Sequence, residues 1–268
     1  MNKIVLRLGG GLVALLALLA LFAPWIVGPP DVQDILARLA PPSSAHLFGT
    51  DNLGRDVLSR LLFGLRTLFA VSAVSVSGAL SIGGGLGLLA AWLGGWPDRI
   101  VMRVMDMLFA FPVILLAIGI IAVLGPGALG AAVAIGVVYI PIFARTLRGP
   151  ALVLRDGEMV AAARSLGACP ARILLRHVLP NLAAIILVQT SLSLSTAILV
   201  EASLSFLGLG TQPPTPSLGR MLAESRNFLF LSPWAAAFSG MGILLASLGF
   251  NLLGDGLQDQ LDPRLKGR

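Results

Sequence analysis

The chain has 268 residues, of which 56% are hydrophobic and 12% charged, and its mean hydropathy is +0.91. Soluble domains carry about 25% charged residues, so half that density leaves too little polar surface to coat a water-soluble globule, and the composition points to a membrane. A single cysteine, Cys169, excludes an internal disulfide and a multi-cysteine metal site, and His46 and His177 are too far apart in sequence to read as a ligand pair.

A helix needs about 20 apolar residues to cross a bilayer, and such stretches recur along the chain. Residues 8–27 are the first. Lys3 and Arg7 precede it as in a secretory leader. Ala14, Ala17, Ala20 and Ala23 are spaced by three, however, so no A-x-A cleavage site follows and the segment reads as a retained helix. The connection 28–66 begins in proline-rich coil. It ends with Leu53, Val57, Leu61 and Leu65 recurring every fourth residue and Asp56 and Arg60 on another face, an amphipathic pattern suited to the membrane surface. The second span, 67–97, is rich in serine and glycine, from Ser72 to Gly87, which reads as close helix packing rather than substrate contact. The apolar run 107–144 is too long for one helix, and Gly125-Pro126-Gly127 breaks it. Two spans are predicted, 100–124 and 128–144. Asp106 falls about two turns inside the first of these and reads as an interfacial residue answering Arg103 or a neighbouring helix.

The connection 149–180 carries two helix signals. Asp156 is placed to cap a helix starting near Glu158, and Met159, Ala162, Ala163 and Leu166 give that helix an apolar stripe. Gly167 can end it in a left-handed turn, Pro170 can start a second helix, and Ile173, Leu174 and Val178 give that one an apolar face. Pro180 then bends the chain into the fifth span, 177–200. Small residues at 161–163 suit either docking into a groove of a partner or a plain interfacial connector. Along the fifth span Gln189, Ser193 and Thr196 form one polar stripe, which either lines a pathway or bonds to neighbouring helices, and Glu201 lies near its outer end. The connection 210–233 holds Pro213-Pro214-Thr215-Pro216, which cannot be regular helix, and the sixth span is 227–254.

With the N-terminus in the cytoplasm and six alternating spans, 13 of the 19 lysines and arginines fall on the cytoplasmic side. That bias predicts both termini in the cytoplasm and accounts for the net charge of +6 without nucleic acid. The expected fold is an all-α membrane protein of six transmembrane helices. Residues 1–66 supply the first helix and an extracytoplasmic loop with an amphipathic helix. Residues 67–268 form a core domain of five helices carrying the cytoplasmic loop 149–180. No phosphate-binding loop, H-E-x-x-H or G-x-S-x-G occurs, so the chain is expected to be no enzyme, to hold no cofactor or metal, and to draw any transport energy from another subunit. A self-contained secondary transporter or channel would call for buried charges or a selectivity filter, and an integral-membrane enzyme for a catalytic constellation.

Ala161-Ala162-Ala163, Gly167 and Leu179-Pro180 match in spacing the cytoplasmic motif of binding-protein-dependent importer permeases, which the loop resembles. Two positions depart from it: Ala161 stands where the motif has glutamate, and His177 where it usually has isoleucine. Further blocks resemble the second permease of dipeptide, oligopeptide and nickel importers: FGTDNLGRDV at 48–57, Gly94-Gly95-Trp96, MRVMD at 102–106, Phe111-Pro112, EASLSFLGLG at 201–210, QPPTP at 212–216, FNLLGDG at 250–256 and LDPR at 261–264. The resemblance implies a type I ABC importer permease fold in a bacterial inner membrane. It implies a second homologous permease, two ATP-binding-cassette subunits that hold ATP and Mg, an extracytoplasmic solute-binding protein, surrounding lipid and no nucleic acid. The solute it implies is a short peptide, with nickel, metal-opine or glutathione as alternatives. It also implies an ATPase-coupling role for Glu158 (in place of the missing glutamate), Ala161, Ala162, Ala163, Gly167, Ile173, Leu179 and Pro180.

Overall fold

A computed structural model describes residues 2–261, whose regular structure is helical apart from one isolated bridge between Thr50 and Asp56. The LDPR block beyond Leu261 and the charges Arg264, Lys266 and Arg268 lie outside the described residues.

Helix α1 (Asn2–Ile26) covers the first apolar stretch. Helix α2 (Val57–Leu93) begins where the Asp56 carboxylate accepts the Ser59 N–H at 2.8 Å, a standard N-cap, and passes through a π turn at Leu80–Gly84. Its 37 residues make it about 55 Å long, well beyond the ~30 Å hydrocarbon core. The amphipathic segment expected before the second span is therefore no separate surface helix. It is the first part of α2, and Val57, Leu61 and Leu65 are buried in a core rather than facing lipid. The glycine-rich part of α2 lies against α5 (Ala128–Arg155). A Cβ on Gly83 would sit 2.2 Å from the Ile140 carbonyl oxygen, and one on Gly87 2.3 Å from that of Ala144. Small residues here let two backbones touch, as the sequence suggested.

The third span is not the straight helix predicted over 100–124. Helices α3 (Gly95–Phe109) and α4 (Val113–Leu124) meet at 94°. Pro112 has no N–H to continue α3, and its ring drives Phe111 away from helical ψ. Asp106 consequently sits on the amphipathic α3, exposed and ion-paired with Arg145 of α5 rather than with Arg103. Helix α5 does not stop at Ala144: it absorbs Pro141 and Pro150 and runs to Arg155, taking 149–155 out of the expected loop.

Two short helices follow. Helix α6 is Glu158–Ser165; α7 starts as Pro170–Ile173 and continues through a π turn, Leu174–Val178, into Leu179–Asn181. After a turn at Leu182, α8 (Ala183–Phe206) begins later than the predicted 177. The connection after α8 hides a short helix, α9 (Leu218–Ser225), which packs so closely that a Cβ on Gly219 would lie 2.1 Å from the Ala202 carbonyl oxygen. Helix α10 (Trp234–Leu261) starts after Pro233, not at 227, because Arg226–Phe228 forms a separate 3-10 turn. Among the described residues five helices (α1, α2, α5, α8 and α10) are long and apolar enough to span, or six with α3–α4 counted as one bent span.

The core falls into three zones. Leu61, Leu65, Leu218 and Met221 fill the end near α9; Ile121, Ile135, Phe143 and Leu204 fill the middle; Leu88, Leu147, Val160, Ile173 and Val178 fill the end carrying α6 and α7. The last zone is where the short helices join the bundle.

Candidate functional site

The α6–α7 hairpin is shaped by its ends. Asp156 does not cap α6 as its position suggests; the N-cap is Gly157, which offers no side chain. Instead Arg155 takes the Asp156 carboxylate with a fork at 2.8 and 3.1 Å, and that guanidinium holds the carboxyl below the usual carboxylate value. The third Arg155 donor reaches the Ala91 carbonyl at 2.7 Å, tying the end of α5 to the end of α2. At the other end of α6, Gly167 adopts φ +78°. Ala168 N–H donates to the Ala163 carbonyl at 3.0 Å and Gly167 N–H to that of Arg164 at 2.9 Å, closing the helix in a left-handed cap. A Cβ on Gly167 would meet nothing within 4 Å, so the backbone angle, not space, calls for glycine.

The hairpin has two faces. Val160, Ala163, Ile173 and Val178 are buried against Leu88, Leu147 and Ala151, and Arg164 lies 5.1 Å over the Trp92 ring. Glu158, Met159, Ala161, Ala162 and Pro180 are exposed, and Leu166 is 88% exposed. The apolar stripe expected on α6 is therefore divided: Ala163 faces this chain's own core and is withdrawn from any partner, while Met159, Ala162 and Leu166 point outward. Ile173 is likewise turned inward, and Leu179 is half-buried. Val160 was not singled out by its pattern, though it is the most buried residue of α6. Its apolar side chain three positions before Ala163 was the available signal.

The polar stripe of α8 is also mixed. Gln189 Nε2 donates to Ser193 Oγ at 3.1 Å, and Thr146 of α5 donates to Gln189 Oε1 at 3.4 Å. Ser193 is buried. Thr196 is exposed, with its hydroxyl turned back to the Leu192 carbonyl at 3.1 Å. Gln189 also borders a hollow of about 400 Å³ shared with Thr146, Val188, Leu192 and Gln258.

Several charged contacts were missed in the sequence; for Asp98 with Arg148 and for Arg55 or Arg60 with Glu224 the partners lie far apart along the chain. Arg148 grips Asp98 with two bonds of 2.5 Å, fastening α3 to α5. Near α9, Asp51, Arg55, Arg60 and Glu224 form one network, with Arg55 2.7 Å from Asp51 and 3.0 Å from Glu224. Glu201 is 1% exposed; its Oε1 accepts from Ser205 Oγ at 2.7 Å, and its Oε2 has no partner among the described residues. Among the described residues no three histidines, cysteines or carboxylates converge as a metal site would require.

The family profile described as "Binding-protein-dependent transport system inner membrane component" matches residues 83–267. The chain is 45% identical to a dipeptide transport system permease protein, DppC, of Alkalihalophilus pseudofirmus, over 93% of this chain and 82% of that protein. It is 47% identical to a glutathione transport system permease protein, GsiD, of Pectobacterium atrosepticum, over 96% of this chain and 86% of that one. Among solved structures, an inward-facing MetNI methionine ABC transporter chain superposes with a TM-score of 0.61 at 18% identity, covering 73% of this chain and 93% of the other.

Proposed function

Given that the chain belongs to the family of inner-membrane components of binding-protein-dependent transport systems and has the type I ABC importer permease fold, we propose that it forms half of a pathway for short peptides and is driven through α6–α7. As a permease subunit it is multi-pass in the bacterial inner membrane. Two relatives are named for dipeptide and for glutathione, itself a short peptide, which supports peptide as the solute class. In this reading a homologous permease supplies the other half of the pathway. Two separate ATPase subunits bind ATP and Mg, and an extracytoplasmic binding protein delivers the solute. The termini and the α6–α7 side lie in the cytoplasm.

The observation that carries the coupling role is the two-faced hairpin. Its inner face is wedged into the ends of α2 and α5 by Val160, Ala163, Ile173 and Val178, which gives a pull on the hairpin a route to those helices. Its outer face presents Met159, Ala162 and Leu166 beside the carboxylate of Glu158, apolar surface with a charge at its rim. A partner closing on ATP would pull this face. Because packed helices switch between discrete arrangements rather than deforming smoothly, the pull would shift the bundle between inward-open and outward-open states.

Gly167→Val tests it. A β-branched residue at φ +78° costs about 1–2 kcal/mol and distorts the joint between the two short helices without a clash, since the space is open. The expected outcome in proteoliposomes holding the full set of subunits is a chain that inserts and assembles but supports no solute uptake, with ATP hydrolysis no longer stimulated by loaded binding protein. Normal uptake and normal stimulation would make the hairpin a plain connector.

A further inference from the structure

Helix α3 is amphipathic in an unusual order. Asp98 and Met105 are buried against the bundle. Trp96, Ile100, Val104 and Met107 recur at intervals of three or four along the opposite side, and all are between 42% and 72% exposed. Between these two faces, on a third edge, stand Arg99 and Arg103, one turn apart. They border a basin of about 370 Å³ with Asp98, Met102, Asp106 and Arg148. Both acids are already taken, Asp98 by Arg148 and Asp106 by Arg145. Among the described residues Arg99 and Arg103 make no ion pair, so two free guanidiniums sit where apolar surface gives way to a charged hollow.

We propose that this edge of α3 is a binding site for the headgroup of an anionic phospholipid, with the phosphate between Arg99 and Arg103 and the acyl chains along the Trp96–Met107 stripe. The chemistry selects that occupant. A phospholipid joins, in one molecule, a phosphate that accepts bidentate bonds from guanidinium and hydrocarbon that covers an adjacent apolar stripe. A protein partner would have to cover the stripe and also bring carboxylates to its rim, and interface cores are poor in charge. The 94° bend after Phe109 supports the assignment, since it ends α3 where α4 turns away and leaves the amphipathic helix at the bundle's surface. The site does not depend on the coupling role of α6–α7.

The test uses the full chain with Trp25, Trp92 and Trp234 changed to Phe, leaving Trp96, at the head of the stripe, as the only tryptophan. It is reconstituted in phosphatidylcholine vesicles carrying a small fraction of brominated phosphatidylglycerol or, in parallel, brominated phosphatidylcholine, and quenching of Trp96 is compared. The expected result is a preference for the anionic lipid of about fivefold or more, the factor that about one well-placed basic residue confers. Arg99→Gln with Arg103→Gln should bring that preference to near unity, and Arg99→Lys with Arg103→Lys should keep most of it. Both side chains are exposed, so these variants keep the fold, and Arg103→Gln alone gives an intermediate comparison. Equal quenching by the two lipids would overturn the proposal. So would absence of quenching by either, which would mean that protein or a second copy covers the stripe. Loss of the preference on adding millimolar glycerol 1-phosphate would assign the arginines to a free anion and also overturn it.

Discussion

Four glycines of α2 provide an internally controlled test of how the bundle is held together. A Cβ on Gly83 would stand 2.2 Å from the Ile140 carbonyl oxygen, and one on Gly87 2.3 Å from that of Ala144. To restore an acceptable separation the two helices must part by about 1 Å, and backbone atoms cannot rotate aside as a side chain can. Overpacking costs roughly 1–3 kcal/mol, so Gly83→Ala and Gly87→Ala should each lie near the upper end, about 3 kcal/mol. One displacement relieves both clashes, so the double substitution should fall short of the sum, at about 4 kcal/mol. Gly84→Ala meets only the ends of side chains, Leu147 Cδ1 at 3.0 Å and Leu80 Cδ1 at 3.5 Å, and should cost about 1 kcal/mol or less. Gly85→Ala meets nothing within 4 Å and should be neutral or gain up to about 1 kcal/mol from helix propensity. Unfolding of each purified chain by SDS in mixed micelles, followed by circular dichroism, gives the free-energy differences. If Gly85→Ala destabilises as much as Gly83→Ala, or if Gly83→Ala is silent, the close approach of α2 and α5 is not what these glycines serve.

Further expectations follow from the other sites. Cys169 is exposed at the start of α7 and is the chain's only cysteine, so on the cytoplasmic reading an impermeant maleimide should label it in inverted vesicles and not in intact spheroplasts; labelling from outside would invert the topology. In a Cys169→Ser background, cysteine at exposed position 196 should react with a small thiol reagent, whereas cysteine at buried position 193 should not. Comparable reactivity at both would mean that α8 is turned differently. Glu201→Gln keeps the acceptor for Ser205 and should change stability by under about 1 kcal/mol. Glu201→Lys leaves a buried cation unpaired and should cost several kcal/mol, seen as loss of folded chain in detergent; equal tolerance of both would show that the site is wetter than its burial implies.

How much of this was legible in the sequence depends on the range of the interaction. Hydropathy located the apolar stretches because lipid contact acts on each segment alone. The left-handed Gly167, the proline start of α7 and the apolar face of Ile173 and Val178 were readable because they are local, whereas the direction of that face, into this chain's own core, was not. Helix ends were read less well. The uncharged run ends at Ala144, before Arg145, and the predicted span ends with it, yet buried packing of Leu147 and Ala151 carries α5 to Arg155. The converse occurred at Pro112, where no packing rescued the helix and the chain folded back at 94°. The facing of α6 could not be read either. On a helix of 8 residues Ala162 and Ala163 look alike, and only the position of Leu88, Leu147 and Ile173 decides that Ala163 is the one turned inward. Pairs such as Asp98 with Arg148 or Arg55 with Glu224 join residues that only the completed bundle brings together.

The pairing of the two terminal helices has a consequence for biosynthesis. A Cβ on Gly9 would lie 2.5 Å from Leu253 N and one on Gly256 2.6 Å from Leu6 Cα, so α1 packs most closely on α10, the last of the described helices. Roughly 200 residues separate them, and a ribosome adding 5–20 residues per second takes about 10–40 s to cover that distance. For that interval α1 lacks the helix against which Gly9 closes. A nascent chain arrested anywhere before residue 234 would therefore leave α1 without its mate.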